Sequence, residues 1–237
     1  MLDRFKVRIH YSRKVSWLRL GRWLGGLPAL LSLARIFYRL RVEGDENIPR
    51  QGGCLVAFNH VSTMADALLF LVVHRRRPDA SLFVYNLSSV VIGDLLQAMG
   101  LPQAQEHILR AYDRQPMSVA GLLRARQTLL EGGCVAVTPE GEITWDGRLQ
   151  SPLAPGAAWL ALRSGVPVIP VVSLGGYDVQ PLWQLEKTRL TGRICIRVGQ
   201  PLVFSAQPLE RVTDAQVQEA SQRLWQALAA LLKDQRR

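Results

Sequence analysis

Residues 54–73 read "CLVAFNHVSTMADALLFLVV". The run Cys54 to Phe58 is apolar throughout and follows Gln51-Gly52-Gly53. A short apolar run behind a glycine pair has the pattern of a strand buried on both faces. Asn59-His60 then interrupts it, and the second apolar run, from Ala67 to Val73, is long enough for a helix. Thr63-x-x-Asp66 ahead of that run matches a helix-start signature. The stretch therefore predicts strand, turn and helix in succession, with a histidine at the carboxyl end of the strand. In open α/β sheets, sites gather at such ends.

The same alternation continues in both directions. Strands are predicted over 41–42, 54–58, 82–85, 134–138, 168–172 and 193–198. Helices are predicted over 64–73, 91–99, 117–131, 155–163 and 214–233. The expectation is an α/β fold, a central mixed sheet flanked by helices. Pro167 and Pro170 mark the strand "VPVIPV" as an edge or irregular one. Residues 175–183, opening with Gly175-Gly176, read as a surface loop. Thr213-x-x-Gln216 reads as a capping box, and Val217, Ala220, Leu224, Leu228 and Leu231 form an apolar stripe behind it.

With 237 residues the chain can build one large domain with a full core. Its net charge of +10 is concentrated near the start, where residues 1–41 hold ten Lys or Arg against the single acid Asp3. Residues 1–41 are therefore set apart as a basic amphipathic element, and 42–237 as the α/β domain. Between Arg22 and Arg35 lie twelve uncharged residues, short of the ~20 a spanning helix needs. Trp17, Trp23, Phe37 and Tyr38 are interleaved with the arginines. That mixture suits a helical element lying in the interface of an anionic membrane. The alternative is a basic helix packed on its own domain. Nucleic acid is a poor partner, because no recognised nucleic-acid module accompanies the charge. Cys54, Cys134 and Cys195 are odd in number and lack metal-ligand spacing, so buried free thiols in a reducing compartment are expected, and no metal. No secretory signal is visible at the start of the chain. The expected place is the cytoplasmic face of a membrane, peripheral or monotopic.

Histidine is suited to take a proton near neutral pH, and an aspartate beside it can hold one ring tautomer. His60 and Asp66 are thus a candidate base and orienting acid. Asp66 also fits a plain role in the first helical turn. A second carboxylate, Glu140, follows the strand "CVAVT" within Pro139-Glu140-Gly141, a turn at another strand end. Downstream come Pro155-Gly156, a helix of small residues, and "SGVPVIPV".

In that order, "RLRVEGDENIPRQGGCLVAFNHVS", "LLRARQTLLEGGCVAVTPEGE" and "PLAPGAAWLALRSGVPVIPV" resemble blocks of the glycerolipid (lysophospholipid) acyltransferase family, over residues 40–172. The resemblance implies the family's fold and an acyl transfer from a thioester of coenzyme A or acyl carrier protein to a lysolipid hydroxyl, with no other cofactor. It implies that His60 is the general base with Asp66 beside it, and that Glu140 and Gly141 belong to the acceptor-binding turn. Arg110 in "HILRAYDRQ" best matches the family's phosphate-binding arginine. Asn59 and Ser62 are candidates for oxyanion binding or positioning.

Three departures stand out. The family spacing is His-x4-Asp, whereas here it is His60-x5-Asp66, with Ala65 in the usual acid position. Tafazzin-like members are similar here, because they carry two consecutive acids at that place. The arginine that often follows Pro-Glu-Gly is replaced by Glu142-Ile143-Thr144, and Arg110 lies farther along than usual. A glycerol phosphate, another lipid or polyol alcohol, and acyl exchange between phospholipids therefore stay open as acceptor chemistry. The rival readings are a non-catalytic lipid-binding relative, favoured by the shifted acid, and a serine hydrolase, disfavoured because the chain lacks G-x-S-x-G.

Overall fold

A computed structural model describes residues 27–83, 119–181 and 187–233. The segment 1–26, the expected helix 91–99 and Arg110 lie outside the described residues. Thirteen short elements include a helix α1 (Leu27–Phe37), β1 (Arg41–Glu43), β2 (Cys54–Phe58), α2 (Thr63–Arg76) and β3 (Ser81–Phe83). Then come α3 (Val119–Leu130), β4 (Cys134–Val137), α4 (Pro155–Ser164), β5 (Val168–Leu174), α5 (Gly176–Val179), β6 (Cys195–Val198) and α6 (Asp214–Lys233). One further turn, Asp45–Asn47, is 3-10 helical.

The strands form one six-stranded sheet in the order β1-β6-β5-β2-β4-β3. All pairs are parallel except β5 with β6, so the sheet is mixed, as the alternating pattern led one to expect. β2 is central and buried at every position, which is why it reads as a continuous apolar run rather than an alternating one. Its two faces feed different clusters. Val56 and Phe58 pack with Leu69, Phe70 and Val73 of α2, while Leu55 and Ala57 pack with Leu129 of α3, Leu160 of α4 and Leu224 of α6. Leu31 and Ala34 of α1 join the first cluster. No described helix is long and apolar enough to cross a membrane.

The proline rule misplaced β5. That strand is interior, between β6 and β2, and all seven of its residues are buried. Leu55 N–H donates to the Pro167 carbonyl on the β2 side, whereas Val168 exchanges hydrogen bonds with Leu202 and the Pro170 carbonyl accepts from Gly199 N–H on the other. Backbone groups alternate sides along a strand, so the missing N–H of Pro170 falls on the β6 side. The β5–β6 pairing runs only from Val171 to Leu174, so Pro170 sits just beyond its end and the β2 ladder loses nothing. The loop expected over 175–183 also differs, because α5 occupies its first part and buries Gly176 and Val179.

A cation is buried at the amino edge of the sheet. Arg77, 2% exposed, makes a two-point contact with Asp79 at 2.8 and 2.7 Å. It also donates to the carbonyls of Pro49, Gly52 and Gly132 and to Cys54 Sγ. Asp79 in turn accepts from Cys134 N–H, so the pair ties the entries of β2 and β4 together.

Candidate functional site

At the opposite, carboxyl edge, β2 ends at Phe58 and four residues, Asn59-His60-Val61-Ser62, lead to the next helix. Helix α2 is capped by Ser62 rather than started by a Thr63 cap. Ser62 has extended backbone angles, its Oγ accepts from Ala65 N–H at 3.1 Å, and its carbonyl accepts from Asp66 N–H. Starting the helix after residue 62 sets the rotation of the two residues that follow the cap. Ala65 turns toward α5, where a Cβ built on Gly176 would lie 2.5 Å from the Ala65 Cβ. Asp66, one residue and about 100° further round, turns toward His60.

His60 Nδ1 lies 2.6 Å from Asp66 Oδ2. The contact is short, and no hydrogen bond joins Asp66 Oδ1 to a described residue. His60 is 5% exposed and Asp66 3%. Nδ1 and Asp66 Oδ1 are enclosed, and no hydrogen bond joins Nε2 to a described residue. Burial pushes the Asp66 carboxyl above its usual range, and the neighbouring imidazole pulls the other way.

The backbone around the pair is held from both sides. Asn59 exchanges two hydrogen bonds with Ser173 at the end of β5: Nδ2 donates to the carbonyl at 3.2 Å and Oδ1 accepts from the amide at 2.7 Å. That uses the Asn59 amide in joining two strand ends.

The turn after β4 supplies the other side. Gly141 adopts φ +78, a left-handed conformation that suits glycine, and its N–H donates to the Thr138 carbonyl to close the turn. This aims Glu140 inward. Its Oε1 accepts from His60 N–H and its Oε2 from Gln150 N–H, both at 2.7 Å. The His60 carbonyl accepts from Thr144 N–H at 3.0 Å. Both backbone groups of His60 are therefore fixed by one loop. Glu140 is buried, which raises its pKa, while the two backbone N–H groups oppose the rise.

The structure thus brings Asn59, His60, Ser62, Asp66, Glu140 and Gly141 to one edge of the sheet, and Arg110 lies outside the described residues. Sequence reading missed Thr144, Gln150 and Ser173. Gln150 Nε2 donates to Thr144 Oγ1, and Trp225 of α6 donates to the Gln150 carbonyl. Thr144 and Ser173 bind residues 60 and 59, far away in the chain, so nothing local marks them.

A family profile described as Acyltransferase matches residues 39–174, more than half of the chain and all of the elements just described from β1 to β5. The chain belongs to the acyltransferase family. Among curated relatives, this acyltransferase-family chain is 25% identical over 182 residues to the chloroplastic 1-acyl-sn-glycerol-3-phosphate acyltransferase of Brassica napus, covering 76% of the chain and 47% of the relative. It is 28% identical over 148 residues to a chloroplastic protein of the same description from Arabidopsis thaliana, covering 61% and 38%. The chain therefore spans half or less of the length of these relatives. Among solved structures, the 1-acyl-sn-glycerophosphate acyltransferase PlsC of Thermotoga maritima superposes with a TM-score of 0.59 at 21% identity, covering 93% of this chain and 79% of that one. This likeness supports the acyltransferase fold, including the mixed sheet and its flanking helices.

Proposed function

We propose that the protein moves a fatty acyl group from an acyl thioester, of coenzyme A or acyl carrier protein, to the hydroxyl of a lysophospholipid or related lipid. The observation that carries this reading is the 2.6 Å contact between His60 Nδ1 and Asp66 Oδ2 at the carboxyl edge of an acyltransferase-family sheet. With Nδ1 turned to the carboxylate, Nε2 is the nitrogen that takes the acceptor's proton. The oxygen so freed attacks the thioester carbonyl, the C–O bond forms and the C–S bond breaks. The proton on the imidazolium then passes to the leaving thiolate. A thioester is already activated, so no acyl-enzyme is required. Asp66 holds the ring and stabilises the imidazolium while it lasts.

Asn59, Ser62 and Glu140 serve as positioning residues in this scheme. The Asn59 amide and both Glu140 oxygens are occupied by backbone groups, and Ser62 caps α2. Gly141 and the turn around it line the place where the acceptor would sit, and Arg110 is proposed to meet its phosphate. A lipid acceptor supports a position at a membrane surface, and the cytoplasmic face is the proposed side. The short His60–Asp66 contact speaks against a degenerate dyad, and so against a purely lipid-binding relative.

The test is mass spectrometry of lipids after incubation with an isotopically labelled acyl thioester and a panel of lysolipid, glycerol phosphate and polyol acceptors. Label should enter one acceptor class with the parent protein and none with folded His60→Ala. Equal labelling by both proteins would overturn the assignment.

A further inference from the structure

We propose that Trp225 of α6 is a positioning residue for the reaction: through Gln150, its indole N–H fixes the backbone of His60 and so supports proton removal. The inference rests on the acyl-transfer reading, in which His60 takes the acceptor's proton. It adds a residue that lies outside the matched stretch 39–174, on the last described helix.

The bonds that hold His60 form a closed ring. His60 N–H donates to Glu140 Oε1 at 2.7 Å, and Gln150 N–H donates to Glu140 Oε2 at 2.7 Å. Gln150 Nε2 donates to Thr144 Oγ1 at 3.1 Å, and Thr144 N–H donates to the His60 carbonyl at 3.0 Å. Both arms that leave the backbone of His60 therefore arrive at Gln150, one on its main chain and one on its side chain. The main-chain carbonyl of Gln150 accepts from Trp225 Nε1 at 3.0 Å.

Gln150 needs a fixed point. Residues 138–154 contain no helix or strand, so no ladder of backbone bonds sets their position. Parts of the loop brace one another: Ala154 N–H donates to the Pro139 carbonyl, and Thr144 Oγ1 donates to Asp146 Oδ1 at 3.0 Å. Bonds within a loop fix its shape. Its place relative to the sheet is set by bonds to packed elements, and Trp225 supplies one of these. Helix α6 is 20 residues long, and its start is closed by the reciprocal bonds of Thr213 and Gln216. Leu224 and Leu228, on the same helix as Trp225, are buried in one cluster with Leu55 of β2 and Val172 of β5.

A half-buried tryptophan ordinarily finds some acceptor for its N–H, and that alone would carry no function. Here the acceptor is the residue on which both arms of the ring converge. Without this bond Gln150 shifts, and Glu140 and Thr144 shift with it. The His60 ring then turns relative to Asp66 and to the incoming hydroxyl. Small displacements passed to a reacting group cost catalysis steeply. Substrate binding is left as it was, because neither Trp225 nor Gln150 is asked to touch substrate.

The experiment uses the full chain. Trp225→Phe keeps an aromatic ring and removes the N–H, Gln150→Ala removes the side-chain arm, and Leu228→Val is a core control on the same helix. Each protein is prepared with isotopically labelled histidine for NMR. The chain has four histidines, and the His60 amide peak is the one absent from His60→Ala. That peak is read without substrate, so it is judged apart from the acyl-transfer reading. The expected result in Trp225→Phe and in Gln150→Ala is an upfield shift and faster solvent exchange of the His60 amide, as its charge-assisted bond to Glu140 loosens, with no such change in Leu228→Val. In the acyl-thioester assay, kcat should fall about tenfold in Trp225→Phe, with donor and acceptor KM unchanged. The loss in the double variant should be smaller than the product of the two single losses, because both act through one residue. An unmoved His60 amide, a kcat equal to the parent's, or an equal response in Leu228→Val would overturn the proposal. A parent that transfers no acyl group while the amide responds would overturn the acyl-transfer reading and leave the hold of Trp225 on His60 standing.

Discussion

Ala65 and Gly176 meet so closely that a single added carbon on the glycine would lie 2.5 Å from the alanine side chain. The position where the family spacing calls for an acid is therefore sealed against α5, and the acid sits one residue later. The extra residue is accommodated by the cap at Ser62, which sets the rotation of α2, and the small pair Ala65–Gly176 leaves no room for the alternative.

From this packing, Ala65→Asp combined with Asp66→Ala should not restore the usual arrangement. It should place a carboxylate against Gly176 and cost about 1–3 kcal/mol of stability. Denaturant unfolding measures the loss, and acyl transfer should fall with it. A double variant as stable and active as the parent would show that α2 can rotate freely.

Asp66→Asn should keep the geometry and weaken the base. By analogy with other His–carboxylate pairs, the rate constant should drop by about 10⁴-fold. In the parent, burial raises the Asp66 pKa, so the carboxylate that stabilises the imidazolium is lost at a higher pH than an exposed aspartate would be. The pH–rate profile of Asp66→Asn should therefore lack the contribution of this carboxyl and differ from the parent's on its acid side.

Glu140→Gln tests the clamp on His60. A carboxamide offers one oxygen and one NH₂ to two backbone N–H groups, so one donor is left facing another. The expected cost is about 1–3 kcal/mol, together with a fall in kcat that exceeds any change in acceptor KM. A raised KM at unchanged kcat would instead assign Glu140 to direct acceptor contact.

The Arg77–Asp79 pair predicts an acid-sensitive contribution to stability. The guanidinium hydrogen bond holds the Asp79 pKa below its usual value, with burial opposing. The folded value is depressed, so the contribution is full above the unfolded aspartate pKa of about 3.9 and is lost as pH falls through the folded value. Asp79→Asn should flatten this part of the stability curve, measured by thermal unfolding across the acid range. Arg77→Ala removes a buried cation shared by five partners and should cost about 3–5 kcal/mol.

Elements whose information is local were legible in advance. β2 is bounded by Gly52-Gly53 and by Asn59-His60, and its predicted and observed limits agree. α6 is bounded by a reciprocal cap, in which Thr213 N–H donates to Gln216 Oε1 and Gln216 N–H to Thr213 Oγ1, and its limits agree as well. β5 was misread because a proline's missing N–H matters only on the side it faces, which depends on the neighbouring strand. The α2 cap was misread by one residue because Ser62 and Thr63 are equally suited by type, and backbone angles decide between them. At the candidate site, residue types pointed to His60, Asp66 and the Pro-Glu-Gly turn. The double hold of Glu140 on residues 60 and 150 was invisible, because it exists only once β2 and β4 are adjacent.

The pairing of β1 with β6 joins positions 41 and 195 in register. During synthesis the first strand of the sheet has no partner until the last strand has left the ribosome. Loop-closure entropy makes so distant a contact late in refolding as well. Pulsed hydrogen exchange should show the Arg41 amide, which donates to the Ile194 carbonyl, gaining protection after those of β2 and β4. For that interval β1 is an unpaired strand, open to pairing with a neighbouring nascent chain.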